Sequence, residues 1–106
     1  MWLLIDDIRD VGSDVIIRNV ESAKKILGAM SSSIDFLSID HDLGIGETGY
    51  DILKWALERN CVPDQVQLVT NNPVGRKNMK NLLEDYNYTT VNGIEFFKVK
   101  EKIHND

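Results

Sequence analysis

Two short apolar runs in this chain stop abruptly at acids, and that repeated pattern restricts the fold more than any other feature. Trp2-Leu3-Leu4-Ile5 runs into Asp6-Asp7, and Phe36-Leu37-Ser38-Ile39 runs into Asp40-His41-Asp42. A near-continuous apolar run with polar residues only at its end is the mark of a strand buried on both faces, as in a parallel sheet. Val15-Ile16-Ile17 and Val66-Gln67-Leu68-Val69 supply two more short strands.

Between these runs the spacing is helical. Asn19 is an expected N-cap, followed by Val20, Ala23, Leu27 and Met30 on one face, with Ser31-Ser32-Ser33 ending the helix. Thr48 and Asp51 stand at capping-box spacing before Ile52, Leu53, Ala56 and Leu57, and this helix should end near Asn60. Pro63 and Asp64 turn the chain into the next strand, which gives way to Thr70-Asn71-Asn72-Pro73. Asn72 is the expected cap of a third helix with Pro73 at its first position, where the missing N–H would have no partner anyway. Its core face is Met79, Leu82, Leu83 and Tyr86, and it should end by Asn87. Tyr88 to Val91 and Ile94 to Val99 flank Asn92-Gly93, which predicts a C-terminal hairpin with a two-residue turn. Lys98 to Asp106 is charged and is expected to fray, so His104 is given no role.

Strands alternating with amphipathic helices predict a flavodoxin-like α/β domain over residues 1–106, with a mainly parallel central sheet and helices on both faces. Ligands of such sheets bind beyond the carboxyl ends of the strands, where strand order reverses. In the flavodoxin-like order that point lies between the strands ending in Asp6-Asp7 and in Asp40-His41-Asp42, so their carboxylates should converge.

Composition narrows the functions open to such a domain. The 106 residues suffice for one core but not for a catalytic and a separate regulatory domain. No apolar run approaches the roughly 20 residues that cross a bilayer. The N-terminus lacks the features of a secretory signal. Cys61 is the only cysteine, so neither an internal disulfide nor a thiolate metal cage can form, in keeping with a cytoplasmic setting. A net charge of -5 argues against duplex DNA as a partner, because that binding depends on Lys and Arg. A small phosphorylated ligand or an RNA end remains open if a cation offsets the acids.

Carboxylates about 4 Å apart repel by roughly 4 kcal/mol at an effective dielectric near 20. Mg2+ or Mn2+ held by Asp6, Asp7 and Asp40 would relieve this and leave positions for a phosphate oxygen. Ion pairing to Arg9 or Arg76 would relieve it without a metal. His41, flanked by Asp40 and Asp42, has the setting of a general acid or base with a neighbouring carboxylate to orient its ring. Thr70 and Asn72 could hold a phosphoryl oxygen and present an amide. The helix start behind Pro73 offers free N–H groups to an anion, and Arg9 and Arg76 could add charge-assisted contacts.

Taken together, Leu4-Ile5-Asp6-Asp7-Ile8-Arg9, Ser38-Ile39-Asp40-His41-Asp42-Leu43-Gly44, Gly49-Tyr50-Asp51 and Asn72-Pro73-Val74-Gly75-Arg76-Lys77-Asn78-Met79 resemble the cyclic-phosphate processing receiver-like family. The resemblance implies a receiver fold turned to cyclic phosphates in nucleotide or RNA metabolism. It also implies that Asp6 and Asp7 match the acidic metal pair of receivers, that Asp40 lies near the phosphoacceptor position, and that Thr70 matches the hydroxyl residue ending the next strand. Val69 stands where members often carry a histidine, and neither Lys98 nor Lys100 matches the lysine that ends the last strand of receivers.

The leading expectation is a metal-assisted phosphoesterase acting on a cyclic phosphate, with His41, Asp40 and Asp42 as the catalytic set. A non-catalytic phage or accessory protein that binds a nucleotide, an RNA end or a host protein is the alternative. A phosphoacceptor receiver is the weaker third.

Overall fold

Each strand is short because each is bounded by residues that turn or cap the chain. In a computed structural model, which describes residues 1–44 and 46–100, the strands are β1 (Trp2–Ile5), β2 (Val15–Ile17), β3 (Phe36–Ile39), β4 (Gln65–Leu68), β5 (Tyr88–Thr90) and β6 (Glu95–Lys98). The helices are α1 (Val20–Met30), α2 (Gly49–Glu58) and α3 (Pro73–Asp85), with a 3-10 turn at Ser31–Ser33. Ile45 and residues 101–106, with His104, lie outside the described residues, whereas Lys98, where the chain was expected to begin fraying, ends β6.

The three helices start where the capping chemistry places them. Asn19 accepts from the Ser22 N–H, Thr48 and Asp51 form a reciprocal capping box, and Asn72 accepts from the Gly75 N–H with Pro73 at the first position. Asn60 and Asn87, with φ of 55° and 69°, take the left-handed conformation just past α2 and α3.

The sheet runs β2-β1-β3-β4-β6-β5, with β2, β1, β3 and β4 parallel and β6 antiparallel to both its neighbours. Strand order therefore reverses at β1, and the ends of β1 and β3 lie side by side, with Ile5 opposite Ile39. Register and pleat put Leu3, Leu37, Val66 and Phe96 in one row, with Ile5, Ile39 and Leu68 beside it on the same face. These residues join Ala23 and Leu27 of α1, Ile52, Leu53 and Ala56 of α2, and Met79 and Leu83 of α3 in a single core. Cys61 is buried at its edge, as a core thiol.

Two expectations need correction. Among the described residues, the helices cover one face of the sheet, not both. Right-handed crossovers that all advance in the same direction, from β2 to β3, β3 to β4 and β4 to β5, place their helices on the same side. The only step in the opposite direction, from β1 to β2, is made by a loop over residues 6–14 instead of a helix. The other face carries Leu4, Trp2 stacked near Phe36 at 5.4 Å, and a polar chain in which Trp2 Nε1 donates to Ser38 Oγ and Ser38 Oγ donates to Gln67 Oε1, both at 2.8 Å.

The second correction concerns the turn between the last two strands. Thr90 pairs with Phe96, so the connection is longer than the two residues Asn92-Gly93. The Asn92 Oδ1 accepts from the N–H groups of Ile94 and Glu95, and Gly93 N donates to Thr90 Oγ1. The asparagine side chain thus folds its own loop and displaces the tight turn.

Candidate functional site

The carboxyl ends of β1 and β3 deliver the acids together, as strand order predicts. One oxygen each from Asp6, Asp7 and Asp40 lies within 4.8 Å of the others. Asp6 is fully buried, Asp40 is 7% exposed, and Asp7 is half-buried beside them. With Arg9 and Asp42 they line a crevice of about 330 Å³.

Local turn chemistry holds Asp6 in place. Its Oδ1 accepts from the backbone N–H groups of Ile8 and Arg9 at 2.9 and 3.0 Å, and its Oδ2 accepts from Arg9 Nη1 at 2.9 Å. Burial works to raise the Asp6 pKa, but these two N–H groups and the guanidinium outweigh it and hold the carboxyl below its ordinary value. The same Arg9 Nη1 lies 3.4 Å from Asp40 Oδ2, so one guanidinium bridges the acids of both strands. Asp40 goes the other way. Burial raises its pKa, with the charge of Asp6 adding to the rise, and the hydroxyl of Thr70, the N–H of His41 and Arg9 only partly offset them.

Past Asp40 the chain presents a second group. His41 N donates to Asp40 Oδ1 at 2.7 Å, and His41 Nδ1 lies 3.0 Å from Asp42 Oδ1. The other carboxylate oxygen of Asp42 accepts from Asn72 Nδ2 at 3.4 Å, while Asn72 Oδ1 caps α3. The bond to His41, followed by that to Asn72, lowers the Asp42 pKa. His41 is thereby oriented from β3 and from the start of α3.

Thr70 and Arg76 lie behind the residues that line the crevice. Thr70 is 3% exposed, and its Oγ1 accepts from the Asn72 N–H at 3.0 Å. Arg76 Nη2 donates to the Thr70 carbonyl at 2.8 Å, while its Nε is buried without a partner. Of the two arginines proposed as internal counter-ions, Arg9 reaches the acids, and Arg76 instead ties α3 to the end of β4.

Two glycines that received no individual role shape the site. A Cβ on Gly75 would come within 2.4 Å of the His41 ring, and one on Gly49 within 1.8 Å of the Asp40 carbonyl. The imidazole lies directly on the first turn of α3, an approach that only glycine allows. Their place in the Gly49-Tyr50-Asp51 and Val74-Gly75-Arg76 segments was the only available signal, because close approach across 9 residues of chain for Gly49 and 34 for Gly75 leaves no local pattern.

The three carboxylates have the hard oxygen chemistry that suits Mg2+ or Mn2+, and Arg9, its side chain 30% exposed, pairs with two of them. The last strand brings no lysine to this edge. Because β6 is antiparallel to β4, Lys98 ends at the opposite side of the sheet, where its N–H donates to the Asp64 carbonyl.

No curated protein and no solved structure matches the chain. A family profile, that of the cyclic-phosphate processing receiver domain, matches residues 1–85, from β1 through the last residue of α3, and leaves only the β5–β6 pair and the tail outside it. Since the span contains the reversal in strand order and every acid gathered there, the chain belongs to the cyclic-phosphate processing receiver domain family.

Proposed function

We propose that this domain hydrolyses a cyclic phosphate at the β1–β3 edge. The observation that carries the reading is the pairing of His41 Nδ1 with Asp42 at 3.0 Å, on the rim of a crevice formed by Asp6, Asp7 and Asp40. In the reaction water adds to phosphorus, one ring P–O ester bond breaks, and the departing oxygen takes up a proton to leave a phosphomonoester. His41 is the residue able to move that proton, with Asp42 holding the ring in place. Asp6, Asp7 and Asp40 would hold a divalent ion, which when bound polarises the phosphoryl group. Arg9, which lines the same crevice, would offer its charge to the phosphate.

The test is incubation of the pure protein with 2',3'- and 3',5'-cyclic nucleotides in the presence of Mg2+ or Mn2+, with His41→Ala as control. Turnover by the wild type and its loss in the variant are expected. Equal rates with every ion and substrate would remove the reading.

Arg9 favours a second reading, because its guanidinium already pairs with both Asp6 and Asp40 without a metal. A non-catalytic domain would bind a nucleotide or RNA end at the same rim. Calorimetry showing tight binding of the intact cyclic phosphate, with no product formed, would select it. Acceptance of a phosphoryl group by Asp40 or Asp42 is the weaker alternative, since Lys98 lies at the far edge. Beryllofluoride failing to bind at saturation would exclude it.

A further inference from the structure

Beside His41 lies a second cavity that the phosphate chemistry leaves unused. It is a groove of about 490 Å³ lined by His41, Thr48, Tyr50, Asn78, Asn81 and Asp85, with Leu82 at its base. This volume falls within the roughly 300–1,000 Å³ common for small-molecule sites. The acidic crevice is lined by Asp42 and the groove by His41, so the His41–Asp42 contact stands between the two.

The lining of the groove defines what fits. It contains no lysine or arginine and has one carboxylate, so a phosphate is disfavoured there. Asn78, Asn81 and Asp85 follow i, i+3, i+7 spacing on α3 and form one face that extends about 10 Å along the helix at 1.5 Å per residue. The cap and rim hydrogen bonds that engage Thr48, Asp42 and Asn72 do not involve these two amides. Each carboxamide offers a donor and an acceptor together, the pattern that pairs with the edge of a nucleobase, and a carboxylate accepts from an exocyclic amine. Tyr50 adds an aromatic ring, and Leu82 a small apolar floor for the face of a base.

We infer that this groove seats the nucleoside of a nucleoside cyclic phosphate, with Asn78 and Asn81 reading the base and Asp85 favouring bases that carry an exocyclic amine, adenine and cytosine over uracil. The inference rests on the cyclic-phosphate reading for the placement of the phosphate at the acidic crevice. It makes the ligand a nucleotide or RNA end instead of a cyclic sugar phosphate.

Two measurements on the full chain separate this inference from that reading. In the first, adenosine, cytidine and uridine are titrated in turn while the side-chain amide signals of Asn78 and Asn81 are followed by NMR. Adenosine and cytidine should shift both signals, and uridine should do so least. In the second, turnover of 2',3'-cyclic AMP is compared with that of base-free glycerol 1,2-cyclic phosphate. Asn81→Ala should raise KM for the nucleotide about tenfold, with kcat and the glycerol substrate unchanged. Lys80→Ala, on the same helix but outside the groove, should change neither. Nucleoside-induced shifts without turnover of any substrate would retain the groove and sink the phosphoesterase. Unmoved amides at the solubility limit of all three nucleosides, or equal KM effects on both substrates, would overturn the inference even if the enzyme is active.

Discussion

Asp6 and Asp40 face each other across the β1–β3 edge with pKa values displaced in opposite directions, so their amide variants should differ in sign. For Asp6 the folded value lies below the unfolded one. Its ionised form therefore stabilises the fold above about pH 4, and that contribution is lost as pH falls through the folded value. Asp6→Asn keeps an acceptor for Ile8 and Arg9 but turns an amide donor toward the guanidinium. It should cost about 1–3 kcal/mol at pH 7, a deficit that closes as the wild type is acidified. For Asp40 the folded value is raised, so ionisation weighs against the fold, and stability falls as pH rises from the unfolded value through the folded one. Metal-free Asp40→Asn should thus be more stable than wild type at pH 7 and lose that advantage below about pH 4. Denaturant titrations at a series of pH values check both. Gly75→Ala makes a third test at this scale. Alanine favours the helix by up to about 1 kcal/mol, while the new methyl displaces the imidazole, so turnover should drop well over tenfold with the fold intact. An unmoved His41 ring signal by NMR would contradict it.

At the scale of elements, the helix starts carry both stability and position. Thr48 and Asp51 satisfy each other's end of α2, and Thr48→Ala should destabilise the domain by about 1 kcal/mol, read as a lower denaturation midpoint. Asn72 does more than cap, since its amide nitrogen also reaches Asp42. Asn72→Ser should retain most of the cap but release the Asp42–His41 pair, lowering kcat more than stability. These starts were legible in the sequence because a cap is a local matter of one side chain and N–H groups two or three residues on. The chain between β1 and β2 forms a loop. That its being a loop leaves one sheet face without a helix among the described residues follows from the direction of the crossover, which is a property of the whole sheet. The Asn92-Gly93 turn misled for a similar reason, because the ladder register that sets the loop length also depends on β4, the other partner of β6.

On the scale of the whole molecule, the question is how the gathered negative charge is held. Arg9 supplies a built-in cation that pairs with both Asp6 and Asp40. If the acids bind Mg2+ or Mn2+, a hundredfold excess over Kd stabilises the native state by about 2.7 kcal/mol, a melting shift of roughly 10 °C or more in a domain of this size. Arg9→Ala should melt lower than wild type without metal, because Asp6 and Asp40 lose their shared partner, and should show a larger metal-dependent rise. A thermal shift series with EDTA, Mg2+ and Mn2+ measures both. Equal midpoints in all three, for wild type and variant alike, would leave Arg9 as the sole counter-ion and favour the non-catalytic binder.

From the chain alone came the alternation of strands and helices, the caps, and the two strand ends that meet as an acidic edge. Each rests on periodicity or on contacts within a few residues, and the meeting of Asp6, Asp7 and Asp40 needs only the rule that ligand sites in such sheets lie where strand order reverses. Only the tertiary structure decided that Arg9, not Arg76, bridges the acids, that the His41 ring rests on Gly75, that a polar groove opens along α3 beside it, and that the helices share one face. Those depend on distances between side chains from elements far apart in sequence, which packing fixes within a few ångströms and residue spacing does not encode.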